Sequence, residues 1–284
     1  MGRWFRRSRS GSEAGRLDFE GYEVPNFPAT IHDTLRLIRA DESSNADIAE
    51  GLAADPGMTV RILRLVNSAG FGLRQAVDDV SQAVQLIGRS SLESILISAA
   101  VHETLPRKSK HGFDANAFWQ LCAQRAAVAG SLAGELCSPR RSLCWTAGLL
   151  QDLAIPLLVE QEGPVYGSIL QDWREGHEPL DVLEREVLGA DHTEIARRVC
   201  ELWEFPAPLI DAIATHHTTD DDEPRPERLV ALLRPGDASG PDGEPGGLSE
   251  VLAAAEQSGL EADAAAGCVE RGLAEAAPLF ALLQ

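Results

Sequence analysis

From Ser44 to His217 the chain is punctuated by helix starts and helix stops, and no segment alternates apolar and polar residues for long enough to make a strand. Ser44 or Asn45 can cap a segment carrying Ile48 and Leu52. Asp55-Pro56 supplies an N-cap followed by proline at the first helical position, where a missing N–H costs nothing. Met58, Ile62, Leu65 and Val66 then share one helical face. Val80, Ala83, Val84 and Ile87 form a second stripe closed by Gly88, and Ser91 is placed to cap a third with Leu92, Ile95, Leu96 and Ala99 inward. After a polar break at 106–112, Asp114 can cap a long helix whose inward stripe holds Phe118, Leu121, Cys122, Arg125, Ala129, Leu132 and Leu136. Ser138-Pro139 repeats the cap-plus-proline start. Residues 143–159 are nearly apolar and predict a central buried helix, kinked or ended at Pro156. Further helices are expected at about 164–175, 179–188, 193–204 and 207–217. The fold class is therefore all-α, a two-lobed helical bundle with one lobe over 24–105 and the other over 114–234.

The ends read differently. Residues 1–23 open with five arginines against Glu13 in the first sixteen positions, and are expected to be a disordered basic tail rather than a secretory signal, since no apolar stretch follows. Residues 235–247 are a Pro/Gly linker, and 248–284 regain helical patterning as a C-terminal tail expected to fold back on the body.

Charge narrows the partners. With 44 acidic and 25 basic residues the chain carries a formal −19, which repels phosphate backbones and disfavours general nucleic-acid binding. No apolar run approaches the roughly 18 residues of a membrane span, so no transmembrane segment is expected. Five cysteines, odd in number and without metal-type spacing, argue against a disulfide framework, and the expected location is cytoplasmic.

Chemistry concentrates in the second half, at Asp152, Glu184, Glu186, His192 and the pair His216-His217. A charged Asp152 inside an apolar segment costs several kcal/mol unless paired or ligated. Histidines and carboxylates on facing helices are the donors of hydrolytic metal sites. The same residues also make a metal-free brace, in which Asp152 bonds a histidine or backbone donors and pins helices together. On composition alone the brace is favoured.

The ordered set VPNFPAT, ADPGMTVRILRLVNSAGFG, AVQLIG, FW, AGLLQDLA, E-x-E-x-LGADH, LWEFP and HH, running from Val24 to His217, resembles the HDOD domain, a catalytically degenerate relative of the HD metal-dependent phosphohydrolases. The resemblance implies an HD-like second lobe. In the HD enzymes the metals are held by a histidine on one helix, a His-Asp pair on a later helix and another carboxylate. Here Leu121 stands at the first histidine position and Gln151-Asp152 at the pair, so two first-shell nitrogens are missing. The resemblance thus implies a non-enzymatic regulatory or signalling module in a bacterium, with no catalytic residues and no cofactor or metal. It would act through protein contacts with signalling proteins in trans, or by sensing a ligand at Asp152, Glu184, Glu186, His192, His216 and His217. The alternative is a metal-dependent phosphohydrolase of nucleotides or cyclic dinucleotides using Asp152, His192 and His216.

Arg61 and Arg64, with Asn67 at the turn that Gly70 and Gly72 would permit, offer a polar edge for a partner. The plainer reading of Asn67 is a cap on the preceding helix end. The oligomeric state is not encoded in any feature of the sequence.

Overall fold

The computed structural model describes residues 23–67, 76–218, 225–233 and 245–283, and among them there are helices and no strand. Helices α1 (Ala29–Arg39), α2 (Asn45–Ala53), α3 (Pro56–Val66) and α4 (Val80–Thr104) pack into the first lobe. The second begins with α5 (Ala115–Leu136) and continues through α6 (Arg141–Leu150), α7 (Ile155–Glu162), α8 (Pro164–Arg174), α9 (Leu180–Leu188), α10 (His192–Leu202) and α11 (Ala207–Ala214). A short strap, α12 (Pro226–Leu229) with a 3-10 turn at Val230–Leu232, leads to a C-terminal pair, α13 (Leu248–Gln257) and α14 (Ala262–Leu283). All but the last residue of the expected tail at 1–23, most of the linker at 235–247, and Gly70 with Gly72 lie outside the described residues.

Local signals set most helix starts. Ser44 and Asp47 form a reciprocal capping box on α2, Asp55 accepts from the Met58 N–H at 2.9 Å on α3, and Asp114 accepts from Asn116 and Ala117 on α5. Gly88 breaks α4 with φ 78° and ψ 163°, a conformation that favours glycine. The helix restarts at once, so Ser91 lies inside it and is no cap. Its hydroxyl instead meets that of Ser142 at 3.1 Å, a polar stitch between α4 and α6.

The apolar run 143–159 is two helices, not one. Proline at 156 removes an N–H and would clash with the carbonyl four residues earlier, so α6 stops at Leu150 and α7 restarts at Ile155, leaving Gln151–Ala154 as a turn. By length and composition alone the spans Val80–Thr104 and Ser138–Glu162 would suffice to cross a membrane. The first is half buried inside the protein, and the second is mostly buried and interrupted at the turn.

One hydrophobic core runs from Ile31 in α1 to Ile213 in α11 and takes in Leu279 of α14, so the two lobes share an interior rather than each owning one. A second cluster lies on the other side of α5, where Leu121, Val128 and Leu132 meet Val230 and Leu233 of the strap, Val251 of α13 and Cys268 of α14. The C-terminal helices do fold back. Helix α5 is therefore covered on two sides, by α6 and by α14.

Between the lobes His102 of α4 is 5% exposed and lies edge-on to Trp119 of α5, with ring centroids 4.5 Å apart. Burial, then the charges of Arg107 and Arg61, lower its pKa from 6.5 to about 4. A base whose folded pKa is depressed takes up protons more readily when unfolded. Its contribution is complete above pH 6.5 and is lost as the pH falls towards 4, a change of roughly 3 kcal/mol. Chemical denaturation between those limits should show the slope in wild type and a flatter one in His102→Gln. Equal slopes would show that His102 does not titrate on unfolding.

Candidate functional site

The site is assembled by helix ends. Helix α9 closes on Gly189 in the left-handed region, φ 80°, and Asp191 opens α10 two residues later by accepting from the Thr193 and Glu194 N–H groups. That tight connection turns His192, the first residue of α10, back onto Glu184. Glu184 Oε2 accepts from the His192 backbone N–H at 2.8 Å and from Nδ1 at 2.6 Å, while Oε1 accepts from the Tyr166 hydroxyl at 2.5 Å. Helix α11 ends at Ala214, and His216 just beyond donates Nδ1–H to the Ile213 carbonyl at 2.7 Å, satisfying an acceptor that the helix end leaves open.

These bonds give Nδ1 of each ring the donor role and leave each Nε2 facing inward. His192 Nε2 is 3.4 Å from His216 Nε2 and 3.1 Å from His217 Nε2. Asp152 Oδ1, from the turn between α6 and α7, is 3.3 Å from His216 Nε2 and 3.5 Å from His192 Nε2. The His217 ring lies against that of His216, centroids 4.1 Å apart and planes tilted by 45°, and keeps the solvent edge.

The sequence points to histidine or backbone partners for Asp152, and the structure adds a stronger one. Arg125 pairs through Nη1 with Asp152 Oδ2, and through Nη2 donates to the Leu233 carbonyl of the strap at 2.7 Å. Burial opposes ionisation of Asp152, yet the Arg125 charge, then the hydrogen bond from His216 and the charge on His192, hold the carboxyl well below its usual range. Burial likewise opposes the His192 cation, but the Glu184 charge and hydrogen bond, with Asp152 and Asp191 beyond, raise it to about 9. His217 goes the other way: partial burial of its ring, then the charges of His216 and His192, lower its pKa.

Asp152, Glu184, His192, His216 and His217 thus come together, and Glu186 does not. Two residues from Glu184 on a helix, it faces the opposite side and is exposed. Asn67 is also reassigned. Its side chain bonds the Leu63 carbonyl and both backbone groups of Val77, each at 2.7 Å, so it braces the end of α3 and offers little to a partner. Arg64 is exposed, and Arg61 pairs with Glu103 at 3.1 Å. The site residues missing from the sequence reading are Arg125 and Tyr166. An arginine on the apolar stripe of α5 was the available signal for the first.

An HD-type metal pair does not fit the positions where that fold holds it. Leu121 is buried in the second core against the C-terminal helices. The Gln151 side chain is 1% exposed, and neither its Oε1 nor its Nε2 makes a hydrogen bond. The Arg125 guanidinium places a fixed cation on the carboxylate that would take a metal.

Comparison with known proteins agrees with this architecture. A Shewanella amazonensis SB2B structure bearing the name "Putative phosphohydrolase" has a TM-score of 0.71 at 23% identity, covering 92% of this chain and 95% of that one. A Marinobacter aquaeolei VT8 structure named "Putative signal transduction protein" has a TM-score of 0.69 at 19% identity, covering 95% of this chain and 62% of that one. At such identities the likeness carries the fold alone. An uncharacterized protein of Treponema pallidum (strain Nichols) is 25% identical over 219 residues, 73% of this chain, and the chain spans 39% of that relative's length. The model of the HDOD domain matches residues 24–219, which hold both lobes and every residue of the histidine cluster, and the chain belongs to the HDOD domain family.

Proposed function

We propose that this chain is a non-hydrolytic regulatory HDOD module, acting in bacterial signalling through contacts with other proteins or by sensing a ligand at the histidine cluster. The observation that carries the reading is the Arg125–Asp152 ion pair, set beside Leu121 and Gln151 where the HD enzymes place imidazoles. Water activation needs firmly held metal with an open coordination position. A carboxylate committed to a guanidinium, flanked by a leucine and an amide, supplies neither. The acidic surface favours protein over nucleic-acid partners, and a cytoplasmic setting accords with five free cysteines. Turnover of a nucleotide or cyclic dinucleotide by the purified chain would contradict the reading.

The partner surface in this proposal is the exposed side of α3, where Val60 and Arg64 stand out and Arg61 lies beside them. Arg61→Glu with Arg64→Glu is expected to weaken capture of a native partner by about tenfold or more, with helicity and Tm nearly unchanged. Capture from native extract by wild-type and variant baits, quantified side by side, checks this. Full retention by the variant would move the contact elsewhere, with the C-terminal helices next in line.

A further inference from the structure

The reversal of the chain between α5 and α6 brings two thiols and a buried carboxylate together. Cys137 ends α5, its N–H bonded to the Ala133 carbonyl at 2.9 Å, and its own carbonyl accepts from the Arg140 N–H at 2.8 Å. A single 3-10 turn, Ser138–Arg140, follows, and residues three apart in such a turn eclipse, which brings Cys137 and Arg140 to one side. Four residues on, Cys144 shares a helical face with Arg140. The two thiols are hydrogen-bond neighbours, and both cysteines are free. Cys144 is buried, whereas Cys137 is half-buried and within reach of solvent. Against them lies Glu227 of the strap, itself 0% exposed. Its Oε2 accepts from the Cys144 thiol at 3.1 Å and its Oε1 from Arg140 Nη2 at 3.2 Å. Burial, then the charge and hydrogen bond of Glu227, pushes the Cys144 thiol far up, so this proton stays on sulfur in the reduced chain. Burial raises Cys137 as well, opposed by the Cys144 hydrogen bond and the Arg140 charge.

We propose that Cys137 and Cys144 are a thiol-modification site, at which exchange with a small-molecule disulfide closes a reversible bond and takes from Glu227 a donor that holds the strap. The Cys137 sulfur, being the accessible one, attacks RS–SR; that S–S bond breaks, and RS⁻ leaves with the proton Cys137 gave up. The Cys144 sulfur then attacks the Cys137 sulfur and passes its proton to the Glu227 carboxylate beside it; a second RS⁻ leaves and takes up that proton. The two protein thiols lose two electrons, and RS–SR is reduced to two RSH. Closed and reopened in a reducing compartment, such a bond is a sensor rather than a framework. After closure Cys144 has no hydrogen to give, and Glu227 Oε2 faces a sulfur in a buried site. The strap that loosens is also bound by Arg228 Nη2 to the Thr215 hydroxyl at 3.0 Å, next to His216, and by the Leu233 carbonyl to Arg125. The oxidation state of the two thiols thus reaches the ion pair and the end of α11, with or without hydrolysis at the histidine cluster.

The test is incubation of the reduced full chain with a ~100-fold excess of oxidised glutathione at about pH 8.5, where thiols of raised pKa still supply some thiolate. The reaction is quenched with acid, and remaining thiols are alkylated with N-ethylmaleimide. Trypsin cuts after Arg140 and Arg141, so the bond reads as peptides 126–140 and 142–174 linked to one another. That linkage is expected in wild type without any substitution, reversed by dithiothreitol, with Cys122, Cys200 and Cys268 alkylated. Cys144→Ala should stop at a glutathione adduct on Cys137, and Cys137→Ser should take no adduct at Cys144. Amides of the strap at 225–233 should exchange with deuterium about tenfold faster in the oxidised chain than in the reduced one. No linked peptide in wild type, linkage of either thiol to Cys122 instead, or strap exchange unchanged by oxidation would overturn the proposal.

Discussion

Arg125→Met is expected to destabilise the fold by about 3–5 kcal/mol, among the largest effects of any single substitution in this chain. Methionine keeps most of the aliphatic volume, so the loss is electrostatic. It strands Asp152, whose side chain is 10% exposed, with its Oδ2 unpaired, and it takes a donor from the buried Leu233 carbonyl. Asp152→Leu alone should cost a similar amount, because it strands the guanidinium instead. The double variant should cost markedly less than the two single costs added together, since an apolar pair of similar volume needs no desolvated charges. Urea denaturation of all four proteins, read as a double-mutant cycle, checks this. Additive costs would show that the two residues do not depend on one another, and the brace would have to be sought among the histidines.

Gly272→Ala is expected to destabilise by about 1–3 kcal/mol even though alanine is the better helix former. A Cβ on Gly272 of α14 would lie 2.6 Å from Val128 Cα and 2.8 Å from Val128 N, so backbone must move to admit it. Gly148 of α6 makes the matching approach on the other side of α5, where a Cβ would meet the Arg125 carbonyl oxygen at 2.8 Å. Helix α5 is thus gripped at two glycine crossings, and the second sets the residue that carries the ion pair. Gly134→Ala is the control. It lies exposed on α5 with nothing within 4 Å of a Cβ, and should stabilise by up to about 1 kcal/mol. Thermal and urea unfolding should show opposite signs for the two variants. Equal signs would mean that α14 does not seat on α5 as described.

What the sequence disclosed follows the range of the interactions involved. Caps at Ser44, Asp55 and Asp114 act within three residues, and those helices start where their caps stand. Ser91 failed as a cap because Gly88 changes the chain's direction and hands it straight back to a helix, an effect of one residue's φ. The exclusion of Glu186 was available from the helical period alone, since residues two apart cannot share a face. Arg125 was legible as an arginine on an apolar stripe but not as the partner of Asp152. That pairing spans 27 residues and depends on how α5 crosses α6. The adjacency of His216 and His217 was plain, whereas their convergence on His192 required the turn at Gly189 and the end of α11 to meet in space.

The account turns on whether the cluster around Asp152 performs hydrolysis. The direct measurement is product formation from a panel of nucleotides and cyclic dinucleotides by the purified full chain, supplied in turn with manganese, iron and magnesium. The Arg125–Asp152 pair and the absent imidazoles at 121 and 151 predict no turnover above the protein-free control. Turnover that Asp152→Ala abolishes would contradict the account.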